Sequence, residues 1–97
     1  MATYILLLRY TQQGISKIKE SPERSEAAKK MFHLMGGEIK SVYLTAGRYD
    51  MVVIAEAPDD ETMARICLAA GSLGNVRTET LRAFTEEEYI KIIKSLP

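Results

Sequence analysis

The chain has 97 residues, 46% of them apolar and 27% charged, and its thirteen basic and thirteen acidic side chains cancel. That length suits one domain, 1–97, burying roughly two-thirds of the surface its unfolded chain exposes. The balance of charge, with no basic cluster, argues against a nucleic-acid groove or an anionic membrane surface.

The longest apolar run near the N-terminus, Ile5-Leu6-Leu7-Leu8, is far short of a membrane span. No basic segment precedes it and no small-residue cleavage site follows, so neither membrane insertion nor a signal peptide is expected. The single cysteine, Cys67, cannot form an internal disulfide, consistent with a reducing compartment, and a cytoplasmic location is the default.

In chain order, Thr3 to Tyr10 is predicted to be a strand with bulky residues on both faces, the mark of a strand covered on both sides. Gly14 breaks the chain, and Ile15 to Glu20 has room for one or two helical turns. Ser21 then caps a helix with Pro22 at its first position and Glu23 favourable to its dipole. Ala27, Ala28, Met31, Leu34 and Met35 give that helix one apolar stripe, and Gly36-Gly37 ends it.

Ile39 to Ala57 reads as a hairpin about Gly47-Arg48. A two-residue loop there favours a type II′ turn with Gly47 at positive φ. It would set Thr45 opposite Asp50, Leu44 opposite Met51 and Tyr43 opposite Val52. Alternation then puts Val42, Leu44, Tyr49, Met51, Val53 and Ala55 on one face. The second face takes Ile39, Ser41, Tyr43, Thr45 and Asp50, followed by Val52, Ile54 and Glu56.

Asp59 caps the next helix, with Asp60 and Glu61 in its first turn. Met63, Ile66, Cys67 and Ala70 face inward, and Gly71 and Gly74 end it. Asn75 leads into a fourth strand, VRTETLRAF. Thr85 and Glu88 form a capping box for a C-terminal helix, with Phe84 and Tyr89 placed as a hydrophobic staple. Ile92, Ile93 and Leu96 give that last helix an apolar face to dock.

The order β-α-β-β-α-β plus a C-terminal helix is α+β and ferredoxin-like. Right-handed crossovers make strands one and three central, the two that are apolar on both faces. Both crossover helices are expected on the Val42, Leu44, Met51 and Val53 face. The other face would carry Tyr43, Val52 and Ile54 together with Thr78, Thr80 and Arg82 of the fourth strand. Such an apolar patch needs a cover. The C-terminal helix or a second copy of the sheet, closing a two-subunit barrel, would supply it.

Gly47-Arg48-Tyr49-Asp50 resembles the signature of the GYD family of small bacterial and archaeal proteins. So do Glu56-Ala57-Pro58-Asp59-Asp60-Glu61-Thr62, Leu73-Gly74-Asn75-Val76-Arg77-Thr78 and Leu81-Arg82-Ala83-Phe84-Thr85, so the resemblance covers essentially the whole chain. It implies a ferredoxin-like domain related to the dimeric α/β barrel proteins, whose members include cofactor-free monooxygenases, isomerases, haem enzymes and amino-acid-sensing modules. It implies no particular reaction and assigns no catalytic residue.

Tyr43, Thr80, Arg82 and Asp50 are the expected ligand-binding residues, gathered where two sheets oppose across a two-fold axis. Arg82 would neutralise an anionic end and Tyr43 would stack or donate a hydrogen bond. The competing reading makes these solvated edge residues, with Asp50 bonding turn amides or Thr45 and Tyr49 packing at the sheet end.

His33 falls opposite the apolar stripe of its helix, and Cys67 reads as a small core residue. With one His and one Cys, and no carboxylate or second His four residues from either, no metal site is expected. An axial haem ligand needs only one His, yet no cofactor is expected. No phosphate loop, nucleophile elbow or Ser-His-Asp constellation is present.

The leading expectation is an oligomeric binding module for a small polar or aromatic molecule, its pocket lying between paired sheets. The protein's partner is then itself, as a homodimer or an assembly of dimers. The alternatives are a cofactor-free enzyme of the monooxygenase or isomerase type and a purely structural assembly unit.

Overall fold

Strand-forming and helix-forming segments alternate along the chain, and the computed structural model, which describes residues 1–97, places each in turn. They are β1 (Ala2–Tyr10), α1 (Gln12–Ser16), a 3₁₀ turn (Ile18–Glu20), α2 (Ser21–Leu34), β2 (Glu38–Leu44), β3 (Met51–Ala57), α3 (Asp60–Ser72), β4 (Val76–Ala83) and α4 (Glu86–Lys94). The four strands form one antiparallel sheet in the order β2-β3-β1-β4. The α+β, ferredoxin-like arrangement is therefore present, with the two doubly apolar strands in the centre.

Helices α2 and α3 cover one face. Tyr4 and Leu6 of β1 and Val53 and Ala55 of β3 meet Phe32 of α2 and Met63 and Ile66 of α3 in a single buried cluster. The helix starts follow their caps. Asp59 accepts the Thr62 amide at 2.8 Å, and both hydrogen bonds of the Thr85–Glu88 capping box are made. Those bonds hold the Asp59 and Glu88 carboxyls below the usual carboxylate range, the Thr62 hydroxyl and amide acting on Asp59 and the Thr85 amide first on Glu88.

The hairpin keeps its register but not its turn. Leu44 pairs with Met51, Tyr43 with Val52 and Val42 with Val53. The ladder ends there, and residues 45 to 50 form a wider loop closed by the Thr45 amide on the Asp50 carbonyl at 2.9 Å and the Thr45 hydroxyl on the Tyr49 carbonyl at 2.5 Å. Gly47 is not at positive φ; Gly36 and Gly74 are the only residues that are. The type II′ expectation fails because the Thr45 side chain satisfies a carbonyl that a tight turn would have paired through the backbone.

Three further expectations are corrected. A bulge between Ile39 and Ser41 sets Ile39 opposite Ala55, so Ile39 packs on the helix-covered core rather than on the other face. Gly14 does not break the chain but sits buried inside α1, which starts at Gln12 under a Thr11 cap. The Asn75 carbonyl lies where a Cβ at Gly14 would fall, 2.0 Å away, so only glycine permits that approach. Ser21 does not cap α2, because the 3₁₀ turn runs straight into the helix; its hydroxyl lies instead 3.2 Å from the Tyr10 hydroxyl.

No residue of α4 is buried, and Tyr89, Ile92, Ile93 and Leu96 are all exposed. The last helix leaves the second face of its own sheet uncovered. The molecule is 17 Å in its shortest dimension and 52 Å in its longest.

Candidate functional site

Residues directly opposite on paired strands share a face. Leu7 opposes Val52 and Ile5 opposes Ile54, and Tyr43 opposes Val52 from the other side. This row faces away from the helices. On the β4 edge Ile5 meets Leu81 and Leu7 meets Glu79. The result is an apolar strip four strands wide, its central residues half-buried by their neighbours and its edge residues Tyr43 and Leu81 exposed.

One end of this strip is polar. The Arg9 guanidinium carbon lies 4.9 Å from the centroid of the Tyr49 ring, a cation–π contact, and the Tyr49 hydroxyl donates to the Glu79 carboxylate at 3.2 Å. Alternation had assigned Tyr49 to the helix side. The wide loop lets it fold over the end of the sheet onto the open side instead.

The four residues expected to share a ligand site are not brought together. Tyr43 stands on the open face, 58% exposed. Asp50 lies at the end of the hairpin, where its Oδ2 accepts the Tyr10 amide at 2.9 Å and its own amide donates to the Leu8 carbonyl. It joins the hairpin to β1 rather than bonding turn amides. Thr80 and Arg82 lie on the helix-covered face, contrary to their expected placement, because Leu6 pairs with Thr80 and Tyr4 with Arg82. The Thr80 hydroxyl is 3.5 Å from the Cys67 sulfur of α3.

Arg82 has several partners within its own chain. Its guanidinium carbon sits 4.4 Å from the Phe84 ring centroid and 5.5 Å from that of Tyr4. It donates to the backbone carbonyls of Thr3 and Ala83, and its Nε is 4.0 Å from Asp60 Oδ1. The Tyr4 hydroxyl donates to the same carboxylate. Burial, reinforced by that hydrogen bond, pushes the Tyr4 phenol up to about 12. A phenol so firmly protonated is a structural donor and no base at neutral pH.

On the helix side, α2 and α3 stand off the sheet and leave a cavity of about 380 Å³ beneath them, fifteen of its twenty lining residues apolar. Sequence reasoning missed its five polar members, Ser21, Arg24, Ser25, Asn75 and Thr78, and the hydroxyl that Tyr10 adds to its wall. Tyr10 follows Tyr4, Leu6 and Leu8 by alternation and was legible as facing the helices. Nothing in the sequence says that Ser21 and Arg24 converge on it. No three His, Cys, Asp or Glu side chains converge anywhere in the chain, so it offers no multidentate set for a metal. No helix is long and apolar enough to cross a membrane.

Residues 4–93 match the family model described as the GYD domain. The chain is 34% identical over 95 residues to a Thermus thermophilus protein named glutamine synthetase and cystathionine beta-lyase binding protein, spanning 97% of this chain and 100% of that one. Its fold is similar to the crystal structure of TTHA0845 from Thermus thermophilus, with a TM-score of 0.57 and 28% identity, over 88% of this chain and 95% of the other. Hairpin, sheet order and matched sequence agree: the chain belongs to the GYD family.

Proposed function

We propose that this protein is a binding module that works by docking on proteins: first on a second copy of itself through the open sheet face, then, as that assembly, on partner enzymes. The observation that carries the reading is the uncovered strip formed by Ile5, Leu7, Val52 and Ile54, which α4 of the same chain leaves open. Contiguous apolar surface of this kind marks an interaction site on a soluble protein. Two such faces stacked in a dimeric α/β barrel would remove several hundred Å² from water, and at about 25 cal/mol per Å² that burial offsets the entropy lost on association.

The Arg9, Tyr49 and Glu79 cluster supports the same reading, since each member has charge or hydrogen-bonding capacity left over to fix the register between copies. Of the four residues expected at a ligand site, Tyr43 belongs to this interface and Asp50 to its rim. Docking on enzymes is supported by the name of the Thermus thermophilus relative, a binding protein for two enzymes.

Light scattering on an eluting size-exclusion peak tests the self-docking step. The wild-type chain should run as a multiple of 10.9 kDa, and Ile54→Lys, which places a charge in the middle of the strip, should run at 10.9 kDa with its fold intact by circular dichroism. An Ile54→Lys species of unchanged size would remove the open face from the account.

A further inference from the structure

Packed helices and sheets interdigitate closely, so a half-open space of about 380 Å³ between α2, α3 and the sheet needs an explanation. The local cause is side-chain size. Ala28 of α2 and Ala70 of α3 both line the space, where larger residues would have filled it. Its volume lies within the roughly 300–1,000 Å³ of small-molecule sites, and such sites pair apolar walls with a few convergent polar groups.

That pairing is present. Leu6, Phe32 and Val53 form the apolar depth of the cavity. The end of β1, the start of α2 and the start of β4 also line it, and there it carries the Tyr10, Ser21 and Arg24 side chains together with Ser25, Asn75 and Thr78. The Tyr10 hydroxyl lies 3.2 Å from Ser21 Oγ and 3.2 Å from the Met51 sulfur. The Arg24 guanidinium donates to the Lys17 and Gly14 carbonyls, each at 3.1 Å, which fixes its position. Those two bonds use two of its five donors. No carboxylate lies within 4.0 Å of it, every ion pair in the molecule being made by other residues.

A held guanidinium without a counter-ion and a bonded pair of hydroxyls, all lining one apolar cavity, match one chemistry. From this geometry we infer that the cavity under α2 binds a small amphipathic carboxylate, its hydrocarbon body between α2, α3 and the sheet and its anionic head at Arg24, Ser21 and Tyr10. An Arg–carboxylate bond is charge-assisted and stronger than a neutral one, so the head would set orientation while the body supplies area. The site is on the opposite side of the sheet from the docking face, and it stands whether or not that face is an interface.

Sodium decanoate is the probe, titrated into the purified protein while methyl resonances are followed. The expected result is saturable binding at one per chain, with the largest shifts at Leu6, Leu8, Met31 and Met51. Ala28→Phe fills the cavity without touching the Arg24 carbonyl bonds and should weaken decanoate by about tenfold or more; Ala70→Phe does the same from α3 if the first variant folds poorly. Arg24→Gln should weaken decanoate by about tenfold but the uncharged decan-1-ol by less than about twofold. The inference is overturned by an absence of saturable shifts up to about 1 mM. Shifts confined to Ile5, Leu7, Val52 and Ile54, undiminished affinity in folded cavity-filled variants, or equal losses for acid and alcohol in Arg24→Gln would overturn it as well.

Discussion

The two faces of the sheet are built from the same two central strands, yet they have different fates. On one, Tyr4, Leu6, Val53 and Ala55 are sealed by helices of their own chain. On the other, Ile5, Leu7, Val52 and Ile54 are just as apolar and have no cover from their own chain. A sealed face and an open apolar face therefore draw on one sequence pattern. What separates them is where the connecting helices pack, which for βαβ units is set by the handedness of the crossovers.

The comparison is broken most sharply by truncating one side chain on each face. Ile66→Ala, at a residue with no exposed surface beneath α3, should cost about 4 kcal/mol in chemical denaturation, because the cavity left cannot refill. That loss should not depend on protein concentration. Ile54→Ala on the open face should cost about 1 kcal/mol, and only this variant should lose stability more on dilution, as burial supplied by a second copy requires. Similar, concentration-independent losses at both positions would erase the distinction.

Alkaline pH probes the sealed face next. The Tyr4 phenol stands at about 12 against 10.0 in its ordinary setting, chiefly through burial. Below pH 10 both folded and unfolded chains hold this proton and the contribution is complete. As the pH rises the unfolded chain ionises first, so stability falls and is lost through the folded value near 12. Two units correspond to about 3 kcal/mol as an upper figure. Denaturation between pH 9 and 12 should show this slope in the wild type and a shallower one in Tyr4→Phe, and parallel slopes would remove Tyr4 as the cause.

Two glycines sharpen the contrast between packed and open backbone. Gly14→Ala drives a methyl group into the Asn75 carbonyl and should cost about 2 kcal/mol by overpacking. Gly47→Val meets no atom within 4 Å and has no positive φ to lose, so it should change stability by less than about 0.5 kcal/mol. Thermal unfolding of both variants reads the pair, and a large loss at Gly47 would restore the tight turn.

The residues show which parts of this were legible. Double-sided apolarity marked β1 and β3 as central, and Asp59 and Thr85 marked two helix starts, because each of these signals is local. The failures all concern relations between segments. Alternation in β4 separates Thr78, Thr80 and Arg82 from Arg77, Glu79 and Leu81, but only pairing with β1 says which row meets the helices. A single bulge before Ser41 moved Ile39 to the other side, and Thr45 opened the turn and freed Tyr49 to cross over. The cavity was invisible for the same reason: Ala28 and Ala70 look like ordinary helix formers until two helices are seen to stand over one sheet.

The central claim is that the open face is covered in solution by a second copy, and solvent paramagnetic relaxation of methyl groups tests it most directly. A soluble paramagnetic probe should relax Leu34 and Leu68, which project into water at 84% and 74% exposure, while leaving Leu7, Val52 and Ile54 as protected as Leu6 of the sealed core. Relaxation of Leu7, Val52 and Ile54 well above that of Leu6, at concentrations where the wild-type protein is fully assembled, would contradict the account.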